Sequence, residues 1–263
     1  MIKKGLLNRI HRFLWKLKVT CYENVRCLKN RRILADNIKF KNCAKNKRCF
    51  VIGNGPSLTL ADLNMLHLNK EVCFASNKIY QLFDETEWRP DFFATCDSIL
   101  YKNNCDIINK LELVKFFPLD ILSKENIKHG EVHAFSRVPF QLFRKKPHFQ
   151  PELTKRLCEG GTITYFLLQI AVYMGFKEIY LLGCDFNFSY GIDVNGNYFE
   201  NSKVINHFKD DGKKLDTMPN LQYNLWAYES AQDYCRSHDV KIFNATRGGK
   251  LEVFPRRSFD ELF

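Results

Sequence analysis

The strongest constraint on the fold is a short apolar run that ends in a glycine turn and leads into a helical pattern. Residues 48–53 read RCFVIG, the turn is Asn54-Gly55-Pro56-Ser57, and LTLADLNMLHL follows. An apolar run, a tight turn and a helix start form one strand–turn–helix unit of an α/β sheet. Such a turn lets backbone N–H groups and a helix N-terminus approach a phosphate or nucleotide. The spacing is neither G-x-G-x-x-G nor a Walker sequence, so a structural turn without a ligand is the alternative.

Polar residues also stand at the ends of later apolar runs. The runs are residues 72–75, 92–95 and 179–182, and the polar residues at their ends are Asn77, Asp97 and Asp185. Ligands of an open parallel α/β sheet bind outside the carboxyl ends of its strands, so these side chains and Asn54 are expected to converge there. Asn and Asp also cap helices, which is the alternative at any single position. Their recurrence favours a ligand site.

Residues 160–186, GGTITYFLLQIAVYMGFKEIYLLGCDF, predict a second close approach to a ligand. Two glycines permit a tight turn and two threonines offer hydroxyls at a helix start; these residues are Gly160, Gly161, Thr162 and Thr164. An apolar helix is expected over 165–174, and Gly175 ends it. Further strands are expected at 113–117 and 241–243.

The stretch 187–217 has little periodicity and many Gly, Asn and Asp residues, which is typical of a mobile loop that acts as a lid. His207 is its one histidine, and an imidazole can take a proton from a sugar hydroxyl near pH 7. A solvated loop histidine is the alternative. Region 99–158 is less regular, and its histidines fit no metal pattern and are expected at the surface: His129, His133 and His148.

Positive charge is concentrated at the N-terminus. The chain carries a net charge of +11, and residues 1–48 contain 15 Lys and Arg but only Glu23 and Asp36 as acidic residues. Because the rest of the chain is close to neutral, no nucleic-acid partner is expected, since a groove for phosphates needs basic residues across the folded body. Ten scattered cysteines without a C-x-x-C pair indicate cytosolic thiols, with neither disulfides nor a metal site expected.

The N-terminal segment predicts a basic amphipathic helix. Apolar residues fall at helical spacing, with Lys and Arg between them: Leu6, Leu7, Ile10, Leu14 and Leu17. The segment has neither the apolar core of a signal peptide nor the roughly 20 apolar residues of a membrane span. We expect residues 1–33 to bind an anionic membrane surface, which predicts a cytoplasmic protein that is peripheral on the inner face of the plasma membrane. A helix packed on the domain is the alternative. The expected division is 1–47 for this segment and 48–263 for one domain.

In these segments the chain resembles the family 42 bacterial sialyltransferases and a larger group that carries the domain of unknown function 115. The matching pieces are VIGNGPSL (51–58), ASN (75–77), residues 160–186, NHF (206–208) and NATRGGKLEVFPR (244–256). The resemblance implies a single Rossmann-like α/β domain with a mostly parallel sheet, of the GT-A-like sialyltransferase variant, with a lid loop at about 187–217.

The resemblance also implies roles for individual residues. Asn54 and Asn77 match two asparagines that bind the CMP part of the family's sugar donor. Asp97 stands where the family has a third asparagine, and an ionised Asp cannot donate a hydrogen bond to the donor. Thr162 matches a hydroxyl near the donor. His207 matches the general base of the family's lid.

The family's two lid tyrosines assist the departing phosphate, and this chain matches them incompletely. Asn187 occupies one position, and Tyr190 or Tyr198 supplies the other. The site is therefore expected to hold the catalytic residues His207 and Tyr190 and the donor-binding residues Asn54, Gly55, Ser57, Asn77, Asp97, Thr162, Thr164 and Asp185.

The implied activity is inverting transfer of a sialic-acid-like ulosonic acid from a CMP-sugar to a hydroxyl of a bacterial surface glycan, such as a lipooligosaccharide, O-antigen or capsule precursor. The acceptor is then a glycan that a lipid can carry, and homo-oligomers are compatible with the sequence. No cofactor or metal is expected, because CMP is a monophosphate leaving group. One alternative is a pterin diphosphokinase-like enzyme that uses Mg²⁺ and ATP, with Asp97 and Asp185 as metal ligands. Another is a non-catalytic nucleotide-binding scaffold.

Overall fold

A computed structural model describes residues 2–122, 131–139, 142, 146–209 and 218–263 of the 263-residue chain. The α-helices in these ranges are α1 Ile2–Lys29, α2 Arg31–Ala35, α3 Leu60–Leu68, α4 Ser98–Ile108, α5 Leu119–Leu122, α6 Ile163–Tyr173 and α7 Leu221–Ser237. Short 3-10 helices lie at Asp36–Phe40, Asn77–Leu82 and Phe259–Glu261. The strands are β1 Arg48–Ile52, β2 Cys73–Ser76, β3 Phe92–Ala94, β4 Val114–Pro118, β5 Glu131–Phe135, β6 Arg137–Val138, β7 Leu157–Cys158, β8 Glu178–Leu182, β9 Tyr190–Ile192, β10 Tyr198–Glu200 and β11 Lys241–Asn244.

Seven of these strands form one sheet in the order β11-β8-β1-β2-β3-β4-β5, and each neighbouring pair is parallel. The prediction of a mostly parallel Rossmann-like α/β sheet is confirmed. From β1 the chain builds outward through β2 to β5, and it then returns to the other side of β1 with β8 and β11. The strand order therefore reverses between β1 and β8.

The apolar strand sequences follow from burial on both faces of the sheet. Cys49 and Val51 of β1 pack into the core with helices α6 and α7, whereas Phe50 and Ile52 pack with α3 and α4 on the other face. All four side chains are at most 1% exposed. A parallel strand covered on both faces reads as a continuous apolar run, which is why RCFVI was recognisable in the sequence.

The core also takes in residues that precede position 48. Phe40 packs edge-on against the ring of Phe116 on β4, with ring centroids 5.2 Å apart. The Asn37 Nδ2 donates to the carbonyl oxygens of Ala134 at 2.7 Å and Leu153 at 3.2 Å. The stretch after α1 is therefore part of the folded body and covers one end of the sheet.

The expectation that His133 lies at the surface is wrong. His133 lies on β5 and is 8% exposed, between the rings of Phe40 and Phe116. Burial lowers the pKa of His133, and a hydrogen bond between Nε2 and Glu131 at 2.8 Å acts in the opposite direction. The cause of the error is the edge strand β5, whose inward side chain His133 packs against Phe40, in the stretch that follows α1. His148 is exposed as expected, and His129 lies outside the described residues.

Candidate functional site

Two glycine turns meet where the strand order reverses, and this point is where open α/β sheets bind their ligands. The turn after β1 begins at Gly53, whose N–H donates to the carbonyl oxygen of Leu182 at 2.7 Å. Two residues later the Gly55 N–H donates to Gly183 of the turn after β8, at 2.9 Å. A Cβ at Gly53 would overlap the Gly183 carbonyl oxygen, so the close approach requires a glycine.

Side chains join the same two turns. The Ser57 Oγ donates to the Asp185 Oδ2 at 2.8 Å. Burial raises the pKa of Asp185, and the hydrogen bonds from Ser57 counteract part of that effect. The backbone oxygen of Asp185 also accepts from the Lys250 N–H at 2.7 Å, which ties in the turn after β11. Ser57 and Asp185, which the sequence assigned to one site, are thus in direct contact.

Asn54 contains a buried acceptor without a partner. Its Nδ2 donates to the carbonyl oxygen of Ser76, at the end of β2, at 3.1 Å. This bond fixes the orientation of the amide, because the opposite orientation would place the Asn54 Oδ1 against the carbonyl oxygen of Ser76. The Asn54 Oδ1 is buried and makes no hydrogen bond with any residue in the described ranges. A buried polar atom left in this state requires an explanation, and a ligand that donates a hydrogen bond is one.

Asn77 occupies the neighbouring strand end. It adopts a left-handed backbone with φ +56°, a conformation that asparagine tolerates better than most residues. Its Oδ1 accepts from the Thr95 Oγ1 at 3.0 Å, so the bond joins the ends of β2 and β3. Asn77 therefore lies at the same edge as Asn54, one strand further along.

The structure gives Asp97 the helix-capping contact that was the alternative for Asn and Asp at strand ends, and Thr162 also caps a helix. The Asp97 Oδ1 accepts from the N–H groups of Ile99 at 2.8 Å and Leu100 at 3.1 Å, at the start of α4. The Thr162 Oγ1 accepts from the Thr164 N–H at 3.3 Å, at the start of α6. The assignment of Asp97 and Thr162 as donor-binding residues stays a prediction.

Thr164 connects the start of α6 to the turn after β8. Its side chain is 8% exposed. The side chain of Thr164 hydrogen-bonds to Cys184, which lowers the pKa of that thiol, although burial raises that pKa more strongly, to about 12. Burial likewise raises the pKa of Tyr228, and hydrogen bonds with the hydroxyls of Thr162 and Thr164 partly counteract this rise. The N-terminus of α6 therefore lies beside the two glycine turns.

His207 is held between two cross-links. On one side, the Asn206 side chain accepts from the Ser189 N–H and donates to the Ser189 Oγ, both at 2.7 Å. On the other side, the Phe208 N–H donates to the Asn54 carbonyl oxygen at 3.0 Å. His207 is partly buried, and its backbone is one residue away from a direct bond to the candidate site.

The region expected to be a mobile lid loop contains a hairpin. Strands β9 and β10 pair antiparallel, and the Ile192 N–H donates to Pro219 at 2.9 Å, so the hairpin is joined to the start of α7. Tyr190 is buried at 7% exposure and follows Ser189, the partner of Asn206. Tyr198 is 52% exposed and donates to Glu200. Residues 210–217 of the expected lid lie outside the described residues.

The site therefore separates into two groups of the predicted residues. The structure brings together the turns and side chains around the β1 and β8 ends, Asn54, Gly55, Ser57, Asp185 and Thr164, and it brings the backbone beside His207 to the same place. Strand β3, with Asp97 at its end, is separated from β8 by β1 and β2, a distance of about 14 Å across the sheet. Within the described residues, no cluster of three or more His, Cys, Asp or Glu side chains could hold a metal ion.

Sequence reasoning missed three contributors to this edge. Ser189 and Asn206 position the His207 segment, and nothing in their local sequence indicates a pairing across 17 residues. The Thr246 Oγ1 accepts from the Cys184 N–H at 3.0 Å. The signal for Thr246 was present, because the polar turn NATRGG follows the last predicted strand.

The fold and this edge define a Rossmann-like α/β domain with a candidate ligand site at its switch point. Residues 20–191, about two thirds of the chain, match the family model described as MptE-like: 6-hydroxymethylpterin diphosphokinase MptE-like. The chain belongs to this MptE-like family. The more specific resemblance to the family 42 sialyltransferases stays a prediction, and no curated protein matches the sequence.

Solved structures of glycosyltransferases are similar to this chain. The MAf glycosyltransferase from Magnetospirillum magneticum AMB-1 superposes with a TM-score of 0.54 and 15% identity, over 85% of this chain and 35% of that protein. This chain thus spans about a third of the MAf protein, and at this identity the likeness shows a shared fold. The sialyltransferase CstII from Campylobacter jejuni, in complex with cytidine-5'-monophosphate, gives a TM-score of 0.38 and 15% identity over 81% of this chain and 85% of that one.

Proposed function

We propose that this protein is an inverting glycosyltransferase that uses a CMP-activated ulosonic acid and transfers it to a hydroxyl of a bacterial surface glycan. One observation carries the proposal: Asn54, whose side-chain Oδ1 is buried and unpartnered, also accepts with its backbone carbonyl oxygen from the Phe208 N–H, next to His207, at the switch point of the sheet. This contact supports a candidate ligand acceptor and a candidate base within one site.

The chemistry of Asn54 favours a nucleoside. Its free Oδ1 can only accept a hydrogen bond, so a phosphate cannot satisfy it, whereas a ribose hydroxyl or the amino group of cytosine can. The phosphate would then lie towards the start of α6 beside Thr164, where backbone N–H groups and the helix dipole favour negative charge. The glycines at 53 and 55 let the turn after β1 approach the turn after β8 closely, which brings the backbone of both turns to the proposed site.

In the proposed reaction an acceptor hydroxyl attacks the anomeric carbon of the bound ulosonic acid. His207 takes the proton of that hydroxyl, and the bond from the anomeric carbon to the phosphate oxygen breaks, so CMP leaves with the electron pair. The new bond forms on the opposite face, which inverts the configuration. Tyr190, on the hairpin next to Ser189, is proposed to donate to the departing phosphate. The protein contributes positioning and proton transfer, and the proposal requires no metal.

The shared fold with a glycosyltransferase supports the class of this proposal, although a fold can carry several chemistries. The family description favours a second candidate, a pterin diphosphokinase that uses Mg²⁺ and ATP. The sequence offered Asp97 and Asp185 as carboxylates for Mg²⁺; they follow β3 and β8, which β1 and β2 separate in the sheet. Asp97 caps α4 and Asp185 accepts from Ser57, so each carboxylate already has hydrogen-bond partners within the protein.

A nucleotide screen by thermal shift distinguishes the two candidates. We expect CMP and CDP to raise the melting temperature, because a ligand that binds only the folded state stabilises it by mass action, about 2.7 kcal/mol at 100 times the Kd. UDP, GDP and ATP are expected to give no comparable shift, with or without Mg²⁺. A shift with Mg-ATP and none with CMP would instead support the diphosphokinase.

A further inference from the structure

Among the side chains that the structure describes, helix α1 contacts the folded body from the half that carries Lys16, Glu23 and Cys27, with Asn24 and Arg26 at the edges of that half. The Cys27 Sγ donates to the Ser136 Oγ at 2.9 Å, after β5, and the Lys16 Nζ donates to the Leu142 carbonyl oxygen at 2.7 Å. Glu23 points to the same side, is 7% exposed and forms an ion pair with Arg26 at 3.2 Å. These positions share one side of the helix at 100° per residue.

The opposite face of α1 carries an uncovered apolar stripe. Its members lie within an arc of about 80° and extend over about 27 Å of helix; they are Ile10, Leu14, Leu17, Cys21, Val25 and Leu28. The five large side chains are between 42% and 69% exposed. Phe13 and Trp15 flank the stripe on its two sides and are also exposed. A continuous apolar strip of this length exposed to water marks an interaction surface.

The charge around the stripe has one sign. Lys18 and Lys29 border it and are exposed, and Arg32 continues the line on α2. Glu23 is the one acidic residue of the first 35, and it faces the folded body. The water-facing side of the helix therefore combines an apolar centre with a basic border. An anionic lipid surface complements both features, since acyl chains accept the apolar stripe and headgroups neutralise the lysines.

We propose that the apolar stripe of α1 docks on an anionic bilayer surface and holds the protein there with the helix in the plane of the interface. The helix lies on the surface because none of the helices in the described ranges is long and apolar enough to span a membrane. A second copy of this chain is a poorer occupant, because the contact would bring together two helices of net positive charge. The proposal does not depend on the glycosyltransferase assignment.

Co-sedimentation of the full chain with vesicles tests this inference. We expect binding to vesicles of phosphatidylcholine mixed with phosphatidylglycerol, and little binding to vesicles of phosphatidylcholine alone. The double variant Leu14→Ser and Leu17→Ser is expected to weaken that binding about tenfold or more, because it removes the centre of the stripe. Lys18→Glu is expected to weaken binding as well, and high salt reduces it for the unchanged chain.

The matched control changes two exposed apolar residues on α3. Met65 and Leu68 are 39% and 75% exposed, and serine at both positions is expected to leave vesicle binding unchanged. Equal binding of the α1 variant and the unchanged chain would overturn the proposal. So would equal binding to the two kinds of vesicle. Sedimentation equilibrium without lipid tests whether a second copy covers the stripe. A dimer that the α1 substitutions dissociate would assign the stripe to a second copy and overturn the proposed docking on lipid.

Discussion

Replacement of His207 by alanine is expected to lower the rate of glycosyl transfer about 10²-fold or more while the protein stays folded. A general base that takes the proton of the attacking hydroxyl contributes on the order of 10²- to 10⁴-fold. The two cross-links beside His207 use the side chain of Asn206 and the backbone of Phe208, so both survive the substitution. Release of CMP from a CMP-ulosonic acid in the presence of acceptor measures the rate.

His67→Ala is the matched control. His67 is an exposed histidine near the end of α3, and its removal is expected to leave transfer unchanged. A pH profile adds a second readout, since loss of the base is expected to remove the fall in rate at acidic pH. Unchanged transfer in the His207→Ala protein, with equal melting temperatures, would remove His207 from the mechanism. It would then favour a different base.

Gly55→Ala is expected to destabilise the protein by about 3 kcal/mol and to abolish nucleotide binding at concentrations that saturate the unchanged protein. A Cβ at position 55 would overlap the Asp185 Oδ2 and lie 2.7 Å from the Gly183 carbonyl oxygen. The carboxylate can rotate, but Gly183 is backbone and already accepts from the Gly55 N–H. The two turns must therefore separate. Thermal unfolding should show a fall of roughly 6 to 12 °C.

Gly196→Ala separates steric overlap from backbone strain. Gly196 lies in the turn between β9 and β10 with φ +85°, and no atom lies within 4 Å of a Cβ placed there. The control should cost about 1 kcal/mol, from backbone conformation alone. Equal effects of the two substitutions would mean that the turns at the switch point are not tightly packed.

The strands of the sheet interior were predictable because their burial is visible in the sequence. Residues 48–53 and 179–182 are continuous apolar runs, and they correspond to β1 and β8. Strand β5 was not, because its sequence EVHAF contains a charged residue and a histidine, and its inward face is completed by Phe40 from far along the chain. The β9–β10 hairpin had a signal, since Asn195-Gly196 is a turn dipeptide and Gly196 has the positive φ that such turns need.

The predictable part of the site follows from one rule, that ligands of an open parallel sheet bind at the carboxyl ends of its strands. That rule placed Asn54 and Asp185 at one edge, and the structure brings their turns into contact. It could not give strand order, because β8 becomes the neighbour of β1 through the packing of the whole sheet. The same rule treated Asp97 like Asp185, although Asp97 lies at a strand end three positions from β8 in the sheet and caps a helix there.

Calorimetric titration of CMP into the unchanged protein and into Asn54→Ala tests whether the switch point holds a nucleotide site. Loss of an acceptor that is buried against the ligand costs about 1 to 3 kcal/mol, so the affinity for CMP is expected to fall about 10-fold or more in the variant. Asn69→Ala, which changes an exposed asparagine at the end of α3, should bind CMP like the unchanged protein. Equal affinity in the Asn54→Ala protein, or no binding of CMP to the unchanged protein, would contradict a nucleotide site at the switch point.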